Sequence, residues 1–407
     1  MPILKRSKQL TALVRSSYAG AGALYAAERH HVRVALQTGQ WLLARRRRYA
    51  GAIVSGDASM FGKSLVVLAG SLALLCLAAC GKPGPQGAAS APPPAVTVPC
   101  DRACLEGLVE QFLEAVIAHD PQRVPFGKDL KYTENGQKLD LGDGMWRTLT
   151  ARGTFRMFVT DVEAGQVAYL GSVKEDDIPA VIAVHLAVKN RRIIAAEVFL
   201  QRNEKSADGF DKIGYAWTQG VPAAERMSRA ELVKVANQYF SGLERNDGKG
   251  KYPFAPDCNR IENGMNSTNV PTPMGETRPD PKTADRYSGQ WSCREQFESG
   301  LLYFVSRIRD RRFVAVDPER GLVFSYVFFD HSAGDTRRFK TPTGRDVVAG
   351  PRQPWTWELA EAFQIRKGEI HQIQAIMERV PYGMNSGWSS WEEGLSSRAR
   401  DVTMGTR

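Results

Sequence analysis

The sequence predicts an α+β fold that is written twice in tandem. In each half of residues 100–388, an amphipathic helix comes first and strands of alternating apolar residues follow. Helices ahead of a run of strands are typical of α+β layouts, in which helices pack on an antiparallel sheet. The predicted helices are 105–118 and 229–243. The predicted strands are 155–161, 166–173, 180–188 and 192–201 in the first half and 313–317, 322–330, 355–365 and 369–380 in the second.

An internal repeat supports this duplication. The triplets Glu134-Asn135-Gly136 and Glu262-Asn263-Gly264 both begin nine residues after a proline. Three landmarks in one order indicate a duplicated unit, and the turn glycine suits an unusual backbone conformation. The other matching segments are 161–167 with 317–323 and 186–202 with 363–379. The second copy has extra residues near 266–293 and 331–353, which are rich in Pro, Gly and charge and are expected to be loops.

Residues 60–80 have the pattern of a secretory signal. A lysine precedes about sixteen apolar residues, and small residues then lead to Cys80. The sequence Leu77-Ala78-Ala79-Cys80 resembles the bacterial lipobox, which implies cleavage before Cys80 and lipidation of that cysteine. A transmembrane anchor is the rival interpretation, but it needs about 20 apolar residues, and Gly70 and Ser71 interrupt this run.

The segments around this signal follow from the same interpretation. Residues 1–59 form a basic leader, disordered or helical, and are explained either by a start assigned too far upstream or by an extended signal region. Residues 60–79 are the signal peptide. Residues 80–99 are rich in Pro, Gly and Ala and are expected to be an extended tether.

The charge distribution argues against binding to nucleic acid. The chain has a formal charge of +10, but +9 of this lies within residues 1–63. Cleavage before Cys80 therefore leaves a nearly neutral protein, with no general attraction to phosphate backbones.

Four cysteines follow the tether, in a chain expected to reach an oxidising compartment. An even number favours two disulfides, and we prefer Cys100 with Cys104 and Cys258 with Cys293 among the three pairings that the sequence allows. A metal site is the rival, but it lacks a Cys-x-x-Cys pair and a nearby histidine.

The order of elements resembles that of the SnoaL-like, or nuclear-transport-factor-2-like, cone fold. The resemblance rests on the element order, the Ala118-His119-Asp120 helix end and the closing hairpin. It implies two tandem cones, in which helices pack on a curved antiparallel sheet around a pocket. A branch of that superfamily without an assigned activity is also similar, through residues 100–105, 134–136, 141–146 and 381–384. The expected segments are a first cone at 100–205, a linker at 206–227, a second cone at 228–388 and a polar tail at 389–407.

Candidate catalytic residues come from the second copy. Strand alternation places Glu361 on one face with Trp355, Trp357 and other apolar residues, where loss of solvent would raise the carboxyl pKa. The alternatives are an exposed carboxylate or a partner in the basic stretch 309–312. Glu262, at the repeated triplet, is the second candidate acid or base.

The candidate ligand-binding residues are polar or aromatic. For the repeated triplets the alternative is a structural turn, and for the aromatic residues it is ordinary core packing. Asp330-His331 resembles a proton-transfer couple of the superfamily's dehydratases, although neighbours on a strand point in opposite directions. The candidates are Glu134, Asn135, Trp146, Asn263, His331, Trp357 and Tyr382.

Two classes of function remain open from the sequence. One is a membrane-anchored binder of an apolar or aromatic small molecule. The other is a lyase, dehydratase or isomerase that uses carboxylates without a cofactor or metal. The expected partners are the bilayer, through lipidated Cys80, and a small apolar ligand, with the cones paired within one chain or in a homodimer. Gly81 after the lipidated cysteine implies the outer membrane, facing the periplasm.

Overall fold

The computed structural model describes residues 100–214 and 216–402. The leader, signal peptide, tether, candidate lipidation site Cys80 and the last five residues lie outside the described part. Within the described part, no helix has the length and apolar character needed to cross a membrane.

The first copy is a helix on a six-stranded sheet. Helix α1 (Arg102–Ile117) begins at Asp101, whose side chain accepts the Cys104 amide. The strands are β1 (Phe126–Glu134), β2 (Gln137–Lys138), β3 (Leu149–Asp161), β4 (Gln166–Glu175), β5 (Ile178–Lys189) and β6 (Arg192–Gln201). Helix α2 (Glu204–Asp211) follows the last of them.

The second copy repeats this order with additions. Helix α3 (Arg229–Leu243) begins with a capping box between Ser228 and Glu231. The remaining elements are β7 (Phe254–Glu262), β8 (Met265–Asn266), α4 (Cys293–Glu298), β9 (Arg307–Asp317), β10 (Leu322–His331), β11 (Arg338–Lys340), β12 (Asp346–Val348), β13 (Trp355–Arg366) and β14 (Glu369–Val380). The chain then forms α5 (Trp391–Gly394) and β15 (Arg400–Asp401).

The two sheets have one topology. The first runs β2-β1-β6-β5-β4-β3, and the second runs β8-β7-β14-β13-β10-β9 with β15 added at its edge. The pairs β1–β6 and β7–β14 are parallel, and the other pairs within these six-strand orders are antiparallel. The α+β prediction is therefore confirmed, and the strand order repeats as the sequence landmarks predict.

Each sheet has two buried sides. The helix side packs against the copy's own helix, α1 or α3, and forms that copy's core. The other side of each sheet contributes to a shared core, in which Phe155 and Phe199 of the first copy join Phe324 and Ile376 of the second. The two sheets therefore pack against each other within one chain.

Each Glu-Asn-Gly turn packs against the segment that follows the last strand of the other copy. A Cβ on Gly209 of α2 would overlap the carbonyl oxygen of Gly264. A Cβ on Gly136 would lie 3.0 Å from Met384 Cε, in the segment after β14. The C-terminal segment of each copy therefore packs against the Glu-Asn-Gly turn of the other copy.

Two segments are more ordered than their composition suggests. The expected linker, 206–227, contains most of α2, whose Ala207 and Phe210 enter the shared core. The expected polar tail, 389–407, contains α5 and β15, and Arg400 pairs with buried Asp310. Composition missed both segments because their few apolar or charged contacts are with distant parts of the chain.

The insertions in the second copy pack together. The prediction that 331–353 is a loop was wrong in part, because β11 and β12 form a small sheet there. Arg345 joins the two insertions by an ion pair of 2.6 Å with Asp285. A small apolar cluster that includes Trp291 and Phe339 lies beneath them.

Both preferred disulfides are present, Cys100–Cys104 and Cys258–Cys293. The second closes a sequence separation of 35 residues and ties the first insertion to β7.

Candidate functional site

The two sides of β13 carry different chemistry. Leu359 and Phe363 belong to the core on the helix side, whereas Ala360 and Ala362 belong to the core between the sheets. Glu361 is two residues from both Leu359 and Phe363 and therefore lies with them on the helix side, as strand periodicity predicts. Glu358 lies on the opposite side of the same strand.

Glu361 is a buried acid in an apolar core. It is 1% exposed, and its Oε2 atom has no hydrogen-bond partner. Burial raises the pKa of the Glu361 carboxyl to about 8, and the charge of Glu262 adds to the rise, whereas Arg260 and a hydrogen bond from Tyr239 oppose it. The carboxyl is therefore mostly protonated at neutral pH.

Arg260, on β7, is the buried cation of this cluster. Its Nη1 donates to Gln296 Oε1 at 2.9 Å, and Nη2 pairs with Glu262. Its guanidinium lies 5.6 Å from the centre of the Tyr239 ring, within the range of a cation–π contact. The Nε atom is buried without a partner.

The basic stretch that we considered as a partner for Glu361 pairs elsewhere. Arg309 binds Asp330 at 2.9 Å, and Arg311 binds Glu244 at 2.8 Å. Arg312 makes a bidentate pair with Glu197 of the first copy, at 2.7 and 2.6 Å. Arg312 therefore links the two copies, whereas Arg309 and Arg311 pair within the second copy, and the cation near Glu361 is Arg260.

The repeated acids have different surroundings. Glu134 is buried, and it accepts the Met145 amide at 2.8 Å and an Arg202 N–H at 3.0 Å. It therefore caps the 3-10 turn Gly144–Arg147. Glu262 is more open, with 23% of its side chain exposed, and pairs with Arg260.

The repeated asparagines complete the turns. Asn135 and Asn263 both have a positive φ, 48° and 49°. Asn135 Oδ1 accepts the Leu200 amide at 2.7 Å, and Asn263 Oδ1 accepts the Met377 amide at 2.9 Å. These bonds tie each turn to the copy's last strand and use the side chains that we had considered for a ligand.

His331 lies in an aromatic row at the end of β10. Its ring stacks on Trp355 at 3.9 Å, and Trp357 meets Trp355 edge-on at 4.7 Å. Burial lowers the pKa of His331 to about 4, so the ring is neutral. Asp330 accepts hydrogen bonds from Arg307, Arg309 and Thr356, and the two residues do not form a couple.

The remaining aromatic candidates lie apart. Trp146 is 1% exposed in the first core, edge-on to Phe112 at 5.6 Å. Tyr382 is 46% exposed in the segment after β14. The structure therefore groups Glu262 with Glu361, leaves Trp357 in the aromatic row of His331, and does not bring Trp146 or Tyr382 to the two acids.

Sequence reasoning missed Arg260, Tyr239 and Gln296. A comparison of the two copies contained the signal. Arg260 is the seventh residue of β7, where β1 has Tyr132, and Tyr239 meets Phe254 as Phe112 meets Phe126. A core position that is polar in one copy only marks a place where the copies differ in chemistry.

A second buried acid lies between the sheets. Burial, with the charge of Glu197, raises the pKa of Glu358 to about 7, and its Oε2 atom has no partner. His185 on β5 bonds Gln166 at 2.6 Å in the same layer. In residues 100–214 and 216–402, no group of three or more His, Cys, Asp or Glu side chains is arranged to hold a metal.

Comparisons with known proteins place a family match on the second copy. A family model described as a domain of unknown function (DUF8021) matches residues 225–377. No curated protein matches the chain. Among solved structures, a de novo designed protein with a curved β-sheet is similar over 37% of this chain and 88% of that chain, with 19% identity and a TM-score of 0.20.

Proposed function

We propose that this protein is a lipid-anchored binder of a small apolar molecule, with its binding site on the helix side of the second sheet. It would consist of two tandem SnoaL-like cones, held at the outer membrane by lipid on Cys80 and facing the periplasm. The first cone would support the second, which carries the ligand.

The observation that carries the proposal is a pair of buried atoms without partners on the helix side of the second sheet, Glu361 Oε2 and Arg260 Nε. A buried polar atom without a partner is costly, and native proteins keep such atoms chiefly where a ligand, water or chemistry uses them. The residues paired with Glu361 on the neighbouring strands are the small residues Ser325 and Ala375. A ligand with one polar group and an apolar body would satisfy this carboxyl and pack on the aromatic residues around it.

Native mass spectrometry of the protein from cell envelopes tests the proposal. The wild type should carry a small molecule, and Glu361→Val should lose it. Glu358→Val is the matched control, since it removes a buried acid from the other side of the same strand and should keep the ligand. A wild-type mass that equals the lipidated polypeptide alone would contradict the proposal.

A proton-transfer enzyme is the second candidate, favoured by the raised pKa of Glu361 next to a tyrosine hydroxyl. The variant Glu361→Gln distinguishes the two. In a binder, Gln keeps the shape and a hydrogen-bonding group, so the same molecule should be bound. In an enzyme, Gln cannot transfer the proton, and a substrate absent from the wild type should accumulate.

The lipid anchor has its own test. Cells that express the chain with a labelled fatty-acid precursor should yield labelled protein, and Cys80→Ala should remove the label. Labelling that persists in this variant would place the anchor elsewhere.

A further inference from the structure

Two unpartnered atoms face the helix side of the second core. They are Glu361 Oε2 and Arg260 Nε, and both are buried. Glu361, Ala375 and Glu262 are register neighbours across β13, β14 and β7, and Arg260 lies two residues before Glu262 on the same side of β7. The unmet hydrogen-bonding capacity of the cluster is therefore one N–H donor and one carboxyl oxygen.

The other polar groups of the cluster already have partners. Arg260 uses Nη1 for Gln296 and Nη2 for Glu262. Tyr239 bonds Glu361, and the Tyr287 hydroxyl donates to the Ser267 carbonyl at 3.2 Å. These groups fix the positions of the Arg260 and Glu361 side chains, so the two free atoms have limited freedom to find partners in the protein.

We propose that the ligand of the second copy is an apolar carboxylic acid, bound through its carboxyl group by Arg260 and Glu361; this rests on the proposed function. Arg260 Nε–H donates to one ligand oxygen. The other ligand oxygen shares a single proton with Glu361, so binding at neutral pH neither releases nor takes up a proton. Arg260 remains paired with Glu262, and the shared proton removes the repulsion that two carboxylates would have.

The rest of the ligand is apolar because the surroundings are. Phe297 lies 6.0 Å from the Arg260 guanidinium, and Leu359 and Phe363 flank Glu361 on the same side of β13. A hydroxyl or a second charge on the ligand body would lose its hydration in this core without a partner.

The binding has a defined pH dependence. The acid binds only when one proton is present between ligand and Glu361. As pH rises through about 8, the value to which burial chiefly raises the pKa of Glu361, that proton is lost from the free protein. Affinity should therefore fall as pH rises above 8, approaching tenfold per pH unit. The groups that face Glu361 are Arg260 and Glu262 from β7 and Tyr239 from α3.

Three probes of one shape test the inference by calorimetry on the full chain. They are 3-phenylpropanoate, 3-phenylpropanamide and 3-phenylpropan-1-ol. At pH 6 the acid should bind at least tenfold more tightly than the alcohol. Equal binding of acid and alcohol would overturn the inference, and so would tighter binding of the amide, which would indicate a carboxamide ligand.

Variants separate the role of the proton from that of the side chain. Glu361→Gln, whose amide is a permanent donor, should keep the acid bound and remove the fall above pH 8. Glu361→Val should lower the affinity for 3-phenylpropanoate by tenfold or more, and Glu358→Val should leave that affinity unchanged. Acid binding that survives Glu361→Val, or that keeps its pH dependence in Glu361→Gln, would contradict the inference.

The outcomes also distinguish this inference from the proposed function. If the envelope protein carries a molecule without a carboxyl group, the inference fails and the binder remains. If none of the probes binds, the inference is likewise overturned, and an envelope protein without any small molecule would then overturn the binder as well.

Discussion

The two copies share one order of strands but fill the helix side of their sheets differently. In the first copy, Tyr169, Val184 and Val198 are neighbours in one row across β4, β5 and β6. In the second, the same row is Ser325, Glu361 and Ala375, across β10, β13 and β14. A duplicated fold has thus kept its backbone and changed one row from large and apolar to small and acidic.

The difference extends to the residues that face this row. Tyr132 and Phe112 in the first copy correspond to Arg260 and Tyr239 in the second. The acid and its cation appear together in one copy and are absent together from the other. This difference supports the proposal that the second copy carries the ligand and that the first copy supports it.

Placing a glutamate in the first copy at the position that corresponds to Glu361 should have the largest effect on stability. Val184→Glu places a carboxyl in a fully buried, apolar row without an arginine. Desolvation and overpacking should lower the free energy of unfolding by about 4 kcal/mol. Urea denaturation measures this.

The double variant Val184→Glu/Tyr132→Arg sharpens the same comparison. It should recover part of the loss, because the acid then has the cation that it has in the second copy. A loss below about 1 kcal/mol in the single variant would mean that the first core accepts an acid, and would remove the contrast between the copies.

Removal of the two disulfides should have the next largest effects, and the two losses of stability should differ. Replacing Cys258 and Cys293 with alanine opens a 35-residue loop and should cost about 4 kcal/mol in the chain-entropy model. Replacing Cys100 and Cys104, four residues apart, should cost about 2 kcal/mol. Guanidinium unfolding without reductant compares the two, and equal losses would contradict the role of Cys258–Cys293 in fixing the insertion.

The packing of α2 against the Glu-Asn-Gly turn of the second copy can be tested by adding one methyl group. Gly209→Ala should lower stability by about 2 kcal/mol, since the added Cβ meets the carbonyl of Gly264 in the other copy. Gly107→Ala is the matched control, because this α1 glycine has open space around it. The control should raise stability by up to about 1 kcal/mol through helix propensity. If the melting temperatures of both variants shift in the same direction, the contact between α2 and the Gly264 carbonyl must relax at little cost.

The last effect is a dependence of stability on pH, which accumulates over several pH units. The Glu361 carboxyl has an ordinary pKa of 4.5 when unfolded and about 8 when folded, so the folded state holds its proton more tightly. Its contribution to stability is full below pH 4.5 and is lost as pH rises toward 8, by at most about 1.4 kcal/mol per pH unit. Glu361→Gln should remove this slope, as seen in urea midpoints between pH 5 and 8. An unchanged slope would mean that Glu361 is ionised in the folded protein.

Glu358→Gln provides the comparison between the two sides of β13. Its pKa of about 7 gives a slope that ends about one pH unit earlier. The two variants together should flatten the profile more than either alone, because the groups lie on opposite sides of the sheet.

The sequence by itself determined the α+β class, the duplication and the side of β13 on which Glu361 lies. These follow from local rules: apolar residues repeat with the period of a helix or a strand, and a duplicated segment keeps its turn residues. The cysteine pairing was also accessible, since it joined neighbours within one copy.

Only the tertiary structure decided which charges meet. Arg260 and Glu361 are about 100 residues apart in the chain, and they share a core because β14 lies between β7 and β13. Arg309 and Arg312 pair with Asp330 and Glu197, and Arg311 pairs with Glu244 at the end of α3, so the basic stretch at 309–312 has its own partners. Ion pairs depend on a few ångströms of distance, and composition holds no distances.

The roles of the repeated Glu-Asn-Gly turns show the same limit. The sequence marked them as equivalent, but Glu134 caps a 3-10 turn and Glu262 pairs with Arg260. The contacts of each turn with the other copy's C-terminal segment appear only when the two sheets are packed together. A motif that recurs in sequence fixes the backbone of a turn, and the surrounding fold decides what its side chains do.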